Sequence, residues 1–475
     1  MGFRLTRRAF LGSSAALCAS TIGIIPVRGS SDMTRLTVVR RNLDIKGRAA
    51  AVYGIAGPND RQGLSLEAGA RFNVTLDNQS GVDTIIHWHG QVPSPELDGV
   101  HDTGYVAPMQ HGEERHFDFE ARPGTHWMHA HHGLLEQNLM AAPLIVRSAE
   151  DEVADLQEVT VLLHDFTFRD PEEIMMELTG GRGMDHGAME HGGSGMEGGM
   201  NMSAMMSGAD LNDVEFDAYL ANDRTLDDPE VVQVERGGRV RLRIINGASA
   251  TAFWIDLGGN SGTVVAVDGN PVEPLTASQL PLAQAQRIDV IVDVLAGTAL
   301  PVLAQREGDR IRTGIVLVAP GAAVPRFDDN ADATAPAVDL SLESQLRSVV
   351  PLEPRAVDRR HSVMLMGEMM GYAWNFDGRT WAERQPLEVA SGERVELDFM
   401  NHSMMAHPIH LHGHHFQVTS INGRAMQGAV RDTVLVPAMG RLTIAFDADN
   451  PGRWLMHCHN LYHMASGMMT ELVYV

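Results

Sequence analysis

Ten of the 22 histidines sit at ligand spacings in four short motifs. They are His87-Trp88-His89-Gly90, His129-Ala130-His131-His132, His407-Pro408-Ile409-His410-Leu411-His412, and His457-Cys458-His459 with His463 and Met468 just beyond. On a strand, residues i and i+2 share a face about 7 Å apart, which suits two adjacent ions better than one. Four H-x-H pairs thus offer eight imidazoles to a single multinuclear centre. In His457-Cys458-His459 the cysteine must point away from its neighbours. A thiolate on a separate metal is then joined covalently to two histidines of the cluster, a short path for electrons. His407, Cys458 and His463 make a set of two imidazoles and one thiolate. Met468 is spaced to be the weak axial ligand of a blue-copper site.

The chain has 27 methionines but only two cysteines, Cys18 and Cys458, so it has no disulfide framework and no all-cysteine zinc site. Soft and borderline donors of this kind point to copper. The N-terminus, Thr6-Arg7-Arg8-Ala9-Phe10-Leu11 and a weakly apolar run to Val27, resembles a twin-arginine export signal. Cleavage near residue 30 would remove Cys18 and four arginines, leaving Cys458 as the lone cysteine of a periplasmic protein. No later run of about 18 apolar residues predicts a membrane span. The net charge of −24 argues against nucleic acid as a partner.

The elements that carry these motifs are β-strands. Gly69 to Asn78, Gly237 to Asn246 and Gly392 to Asn401 share G-x-R-Φ-x-Φ-x-Φ-x-N, where Φ is apolar. Period-two alternation between a Gly turn and an Asn turn reads as a half-buried strand. A length of 475 residues and three copies predict three related β-domains. Pro123 to His131 and Pro451 to His459 repeat one Pro-to-His spacing. The middle copy has Phe253-Trp254-Ile255-Asp256 instead, which marks a domain without catalytic metal. The chain therefore reads as an export signal (1–30), β-domains at 35–155, 156–330 and 331–475, a Met, Gly and His-rich insert at 171–208, and a Pro, Ala and Asp-rich linker from Gly321 to Arg360.

Together the four motifs resemble those of the multicopper oxidase family, which includes laccases, cuprous oxidases and copper-resistance protein A. The resemblance implies an all-β fold of three cupredoxin-like Greek-key β-sandwich domains and four copper ions. His87 and His410 would hold type 2 copper. His89, His129, His131, His412, His457 and His459 would hold the type 3 pair, and His407, Cys458, His463 and Met468 type 1 copper. It also implies four one-electron oxidations coupled to reduction of O2 to water. Asp98 resembles the acid near the type 2 water, although Asp98-Gly99 also suits an ordinary turn.

Many bacterial laccases carry Glu directly after the last type 1 histidine, where this chain has Met464. Met405 resembles a substrate ligand of cuprous oxidases, but the accompanying acid is replaced by Ser403. The insert holds nine methionines, Met175 to Met206, whose thioethers select Cu(I). Met364, Met366, Met369 and Met370 read as packing residues. His132, His414 and His415 read as neighbours of the site rather than ligands. The expectation is a monomeric oxidase of Cu(I), phenols or aromatic amines with O2 as acceptor. The rival is a periplasmic copper store built on the insert.

Overall fold

A computed structural model describes residues 33–180, 211–235, 238–367, 369 and 371–475. The export segment, Cys18, Met370 and the insert methionines from Met184 to Met206 lie outside the described residues. Each copy of the repeat is an eight-residue strand: Arg71–Asn78, Arg239–Asn246 and Arg394–Asn401. Each runs parallel to the strand opening its third of the chain, Thr34–Ile45, Gln157–Phe166 or Arg359–Met366. Each also runs antiparallel to a later one, Glu114–Glu120, Arg287–Asp293 or Arg441–Asp447. Among the described residues six sheets result, two in each third, with strand orders that cross between sheets as in a Greek key. The three-domain all-β expectation holds.

Alternation explains the layering. Phe72, Val74 and Leu76 are fully buried, as are Val240, Leu242 and Ile244, and Val395, Leu397 and Phe399. The closing Asn of each copy has a definite task. Asn78 Nδ2 donates to Val82 O (2.8 Å) and Met109 O (3.0 Å), and Asn246 Nδ2 donates to Thr251 O (2.9 Å) and Leu282 O (3.0 Å). Asn401 Nδ2 donates to Met405 O (2.7 Å) and Pro437 O (2.9 Å). In each copy the Oδ1 atom accepts from the backbone N–H two residues on. The amide therefore ties the exit loop to the opposite sheet, and in the last domain that loop leads into His407.

The sheets that receive these loops carry the metal motifs. Strands Ile86–His87 and Gly124–Ala130 pair in the first domain, and His407–Leu411 pairs with Arg453–Cys458 in the last. The corresponding middle strand Phe253–Asp256 has no histidine. Trp88 takes the face opposite His87 and His89 and packs on Phe72 (ring centroids 4.7 Å) and Phe117 (4.9 Å). Phe72 also stacks on Phe119 at 4.5 Å. Phe72→Ala should cost about 3–5 kcal/mol of stability, read by denaturant unfolding, because it empties the layer that supports Trp88.

Two segments depart from expectation. The insert begins as a helix, Pro171–Leu178, with Asp170 capping Glu172 N (3.0 Å) and Pro171 in the first turn. Ile174 is buried and Met175 packs on the core, so the start of the insert is structure rather than low-complexity tether. The stretch from Gly321 is also more than a linker: Leu342 and Leu346 are buried in the largest apolar cluster. Apolar residues among its prolines and aspartates dock it on the sheets.

Candidate metal centres

The structure brings the eight paired histidines together in three groups, two of which share His89. Their ligand atoms lie within 4.8 Å of one another in His87, His89 and His410, in His89, His129 and His459, and in His131, His412 and His457. Three of the four H-x-H pairs divide between groups, as a strand face spanning two ions allows, while His87 and His89 share one group and His89 also belongs to a second. His407, Cys458 and His463 form a separate group. All are buried.

Outer hydrogen bonds fix which nitrogen faces inward. His87 donates its Nδ1 proton to Asp98 O (2.9 Å) and His410 to Asp432 O (2.8 Å). His129 Nδ1 is paired with Glu136 Oε2 (2.6 Å), His412 Nδ1 with Asp98 Oδ2 (2.9 Å), and His457 Nδ1 with its neighbour's carbonyl, Cys458 O (2.9 Å). His89 is turned round: Nε2 bonds to Asp432 Oδ1 (3.0 Å) and leaves Nδ1 inward. The inward atoms His87 Nε2, His89 Nδ1, His129 Nε2, His131 Nε2, His410 Nε2 and His459 Nε2 have no hydrogen-bond partner among the described residues. His412 Nε2 and His457 Nε2 lie 3.0 Å apart. With both Nδ1 protons directed outward, two lone pairs confront each other. Buried, unpartnered lone pairs converging in this way fit bound cations.

Electrostatics agree. Burial, then neighbouring cationic groups, pushes His89, His129 and His412 well below the usual imidazole range. Burial likewise brings His131, His457 and His459 to about 3. Below that range the rings stay neutral at physiological pH and keep a lone pair for a metal.

In the second centre, Cys458 Sγ is 3.7 Å from both His407 Nδ1 and His463 Nδ1, which are 3.1 Å apart. Ser403 Oγ holds His407 Nε2 at 2.8 Å, and Asp213 Oδ2 holds His463 Nε2 at 2.7 Å. Trp374 stacks on His463 (4.3 Å) and stands edge-on to His407 (5.1 Å). Met468 is fully buried, and its backbone bridges His463 O (3.0 Å) and Cys458 N (3.1 Å). Burial pushes the Cys458 thiol up, so a thiolate here needs a metal partner.

Asp98 thus lies between a histidine of each motif set, joining His87 and His412, beyond what a turn would need. Met405 lines a cavity and is nearly buried. His414 is buried against Tyr474 OH (2.6 Å), half-buried His415 bonds to Gly90 O (3.0 Å), and His132 meets His101 Nε2 (2.9 Å). Sequence reasoning missed Glu136, Asp213 and Asp432. Glu136 offered one signal, a carboxylate in the apolar run Leu134-Leu135-Glu136 just after His131. Asp213 offered none.

Family models described as multicopper oxidase match residues 37–151, 157–300 and 356–475 in order. The chain is 32% identical to multicopper oxidase MmcO of Mycobacterium tuberculosis, covering 99% of this chain and 97% of that one. It is 26% identical to a copper resistance protein A homolog of Pseudomonas syringae pv. tomato, covering 99% of each. It shares the fold of the laccase from Botrytis aclada, with a TM-score of 0.73 at 20% identity over 93% of this chain and 87% of that one. With the ligand groups and three successive family matches agreeing along its length, the chain belongs to the multicopper oxidase family and is a copper-dependent oxidoreductase that uses O2.

Proposed function

We propose that this protein is an exported, periplasmic oxidase of copper tolerance that acts on Cu(I) by preference and on phenols or aromatic amines as laccase-type substrates. His87 and His410 would hold type 2 copper, His89, His129 and His459 one type 3 ion, and His131, His412 and His457 the other. His407, Cys458, His463 and Met468 would hold type 1 copper. When bound, these four ions supply one-electron oxidation of substrate and four-electron reduction of O2 to water. The observation that carries the reading is the position of Cys458: its thiol belongs to one centre, and its two chain neighbours belong to two groups of the other. A copper store would need no such bridge.

The protein groups have separable tasks. Glu136, Asp432 and the Asp98 carbonyl orient imidazoles so that lone pairs face inward. The Asp98 carboxylate, on His412 Nδ1, can hold and pass protons for O2 reduction. A cavity of about 270 Å³ beside His407 is the proposed substrate port, with Met404 exposed at its mouth, Met405 and Glu307 on its wall. Burial raises Glu307 to about 7, so its carboxyl is part protonated near neutrality, and Asp339 also lines the cavity. Thioethers of Met404 and Met405 suit Cu(I), and the apolar wall suits an aromatic ring.

Among the described residues no helix is long and apolar enough to cross a membrane. The export route rests on the sequence of the first 30 residues and the copper role on the methionines. Oxygen uptake with Cu(I), Fe(II), Mn(II) and a phenol tests the proposal: Cu(I) should give the highest kcat/KM, with one O2 consumed per four equivalents. No uptake with any of them would overturn it. Deleting residues 181–206 should raise the KM for Cu(I) several-fold and leave phenol kinetics unchanged. Unchanged kinetics with both would make the segment a passive connection.

A further inference from the structure

Among the described residues the middle domain contributes no ligand to the histidine groups, yet one of its side chains reaches the cluster. Arg287 opens strand Arg287–Asp293 and is fully buried. Its Nη1 donates to Asp432 Oδ1 at 2.7 Å and its Nη2 to Asp432 Oδ2, a two-pronged contact with the last domain. Its Nε donates to Thr125 O (3.2 Å), on the strand of the first domain that carries His129. Asp432 is the same carboxylate that holds His89 Nε2 at 3.0 Å, and its backbone carbonyl takes the His410 Nδ1 proton. Thr433 Oγ1 completes the frame, at 3.1 Å from His89 Nε2 and 2.9 Å from Asp432 Oδ1.

We infer that Arg287 is a positioning residue for the cluster: it orients Asp432, and through it sets the reversed ring of His89, the histidine shared by two ligand groups. The inference rests on the copper-ligand assignment proposed for this cluster. Three observations converge on it. First, a carboxylate with two fixed oxygens cannot rotate, and the guanidinium fork of Arg287 fixes both. Second, His89 differs from its fellow ligands in presenting Nδ1, and Asp432 is the acceptor that demands it. Third, Gly90, directly after His89, has φ +91°, and a Cβ there would meet His126 Nδ1 first and would lie 2.7 Å from Arg287 Nη2 and 3.1 Å from Asp432 Oδ2. The backbone at the ligand is therefore packed on His126 and on the Arg287–Asp432 pair together. Asp268, which accepts from Arg287 N (2.9 Å), and Arg431, 3.1 Å from Asp268, balance the buried charge. The middle domain thus aligns the two halves of a centre to which it gives no ligand.

The test uses the full-length, copper-loaded protein and two variants, Arg287→Lys and Arg287→Met. Copper retention is measured against a chelator, with the blue type 1 absorption and the near-ultraviolet absorption of the coupled pair followed together. Arg287→Met should release cluster copper at about 10–100-fold lower chelator, the range typical of outer-shell partners, while the blue band holds. Arg287→Lys, which keeps the charge and loses the fork, should fall between. Retention and pair absorption equal to wild type in Arg287→Met overturn the inference, as does parallel loss of both bands, which would mark domain glue. If Arg287→Met yields no folded protein, Arg287→Lys decides: a weakened pair signal with an intact blue band supports the role, and a wild-type pair signal overturns it. A wild type that takes up no copper would instead sink the ligand assignment.

Discussion

Cys458→Ser is expected to abolish the blue absorption, remove one copper per chain and lower O2 uptake with both Cu(I) and a phenol by more than about 100-fold, beyond the loss typical of outer-shell partners. The substitution changes one buried atom, and the strand Arg453–Cys458 keeps its pairing with His407–Leu411, so the fold should persist. What is lost is specific. A hydroxyl is a hard, weakly acidic donor and cannot replace a thiolate between His407 and His463. The chemical link from that donor set to His457 and His459 goes with it. Near-ultraviolet absorption of the cluster should remain, which separates this outcome from misfolding. Uptake equal to wild type in the presence of an intact cluster would refute electron delivery through Cys458.

Asp98→Asn should leave the blue band and its reduction by substrate unchanged while lowering turnover by about 10²–10⁴-fold, the usual range for a lost proton-transfer group. The amide can still accept from His412 Nδ1, and the Asp98 backbone carbonyl still accepts from His87, so ring orientation survives. A carboxamide cannot take up and release a proton. Stopped-flow reduction of the blue centre, compared with steady-state O2 uptake, separates the two steps. Asp98→Glu should recover part of the rate. Wild-type turnover in Asp98→Asn would return Asp98 to an ordinary turn residue.

The sequence was most informative where periodicity and ligand chemistry coincide. The repeat G-x-R-Φ-x-Φ-x-Φ-x-N marked three strands to the residue, because alternation and terminal Gly and Asn state both face and ends. The H-x-H spacing foretold that pairs would span two ions, and three of the four divide between groups, while His87 and His89 share one. The acids that orient the rings were not legible. Asp213 and Asp432 come from a loop and a strand end far in sequence from His463 and His89, Glu136 comes from a turn close after His129, and a lone carboxylate looks the same whether it faces water or a histidine. Helix Pro171–Leu178 was hidden by the Met, Gly and His-rich composition of the rest of the insert. The Arg287 contact was invisible for a similar reason: only tertiary packing brings the middle domain's strand against both neighbours.

The membership of the histidine groups has a thermodynamic consequence. His89 and His129 come from the first domain and His459 from the last, while His131 shares its group with His412 and His457. Ions bound there would act as staples, closing a loop of roughly 370 residues, a constraint worth on the order of 6 kcal/mol if scaled like a covalent cross-link. Metal would then be part of what holds the chain's two ends together. Apoprotein should be the form in which the terminal domains part first, and copper supply would govern the protein's lifetime as well as its turnover.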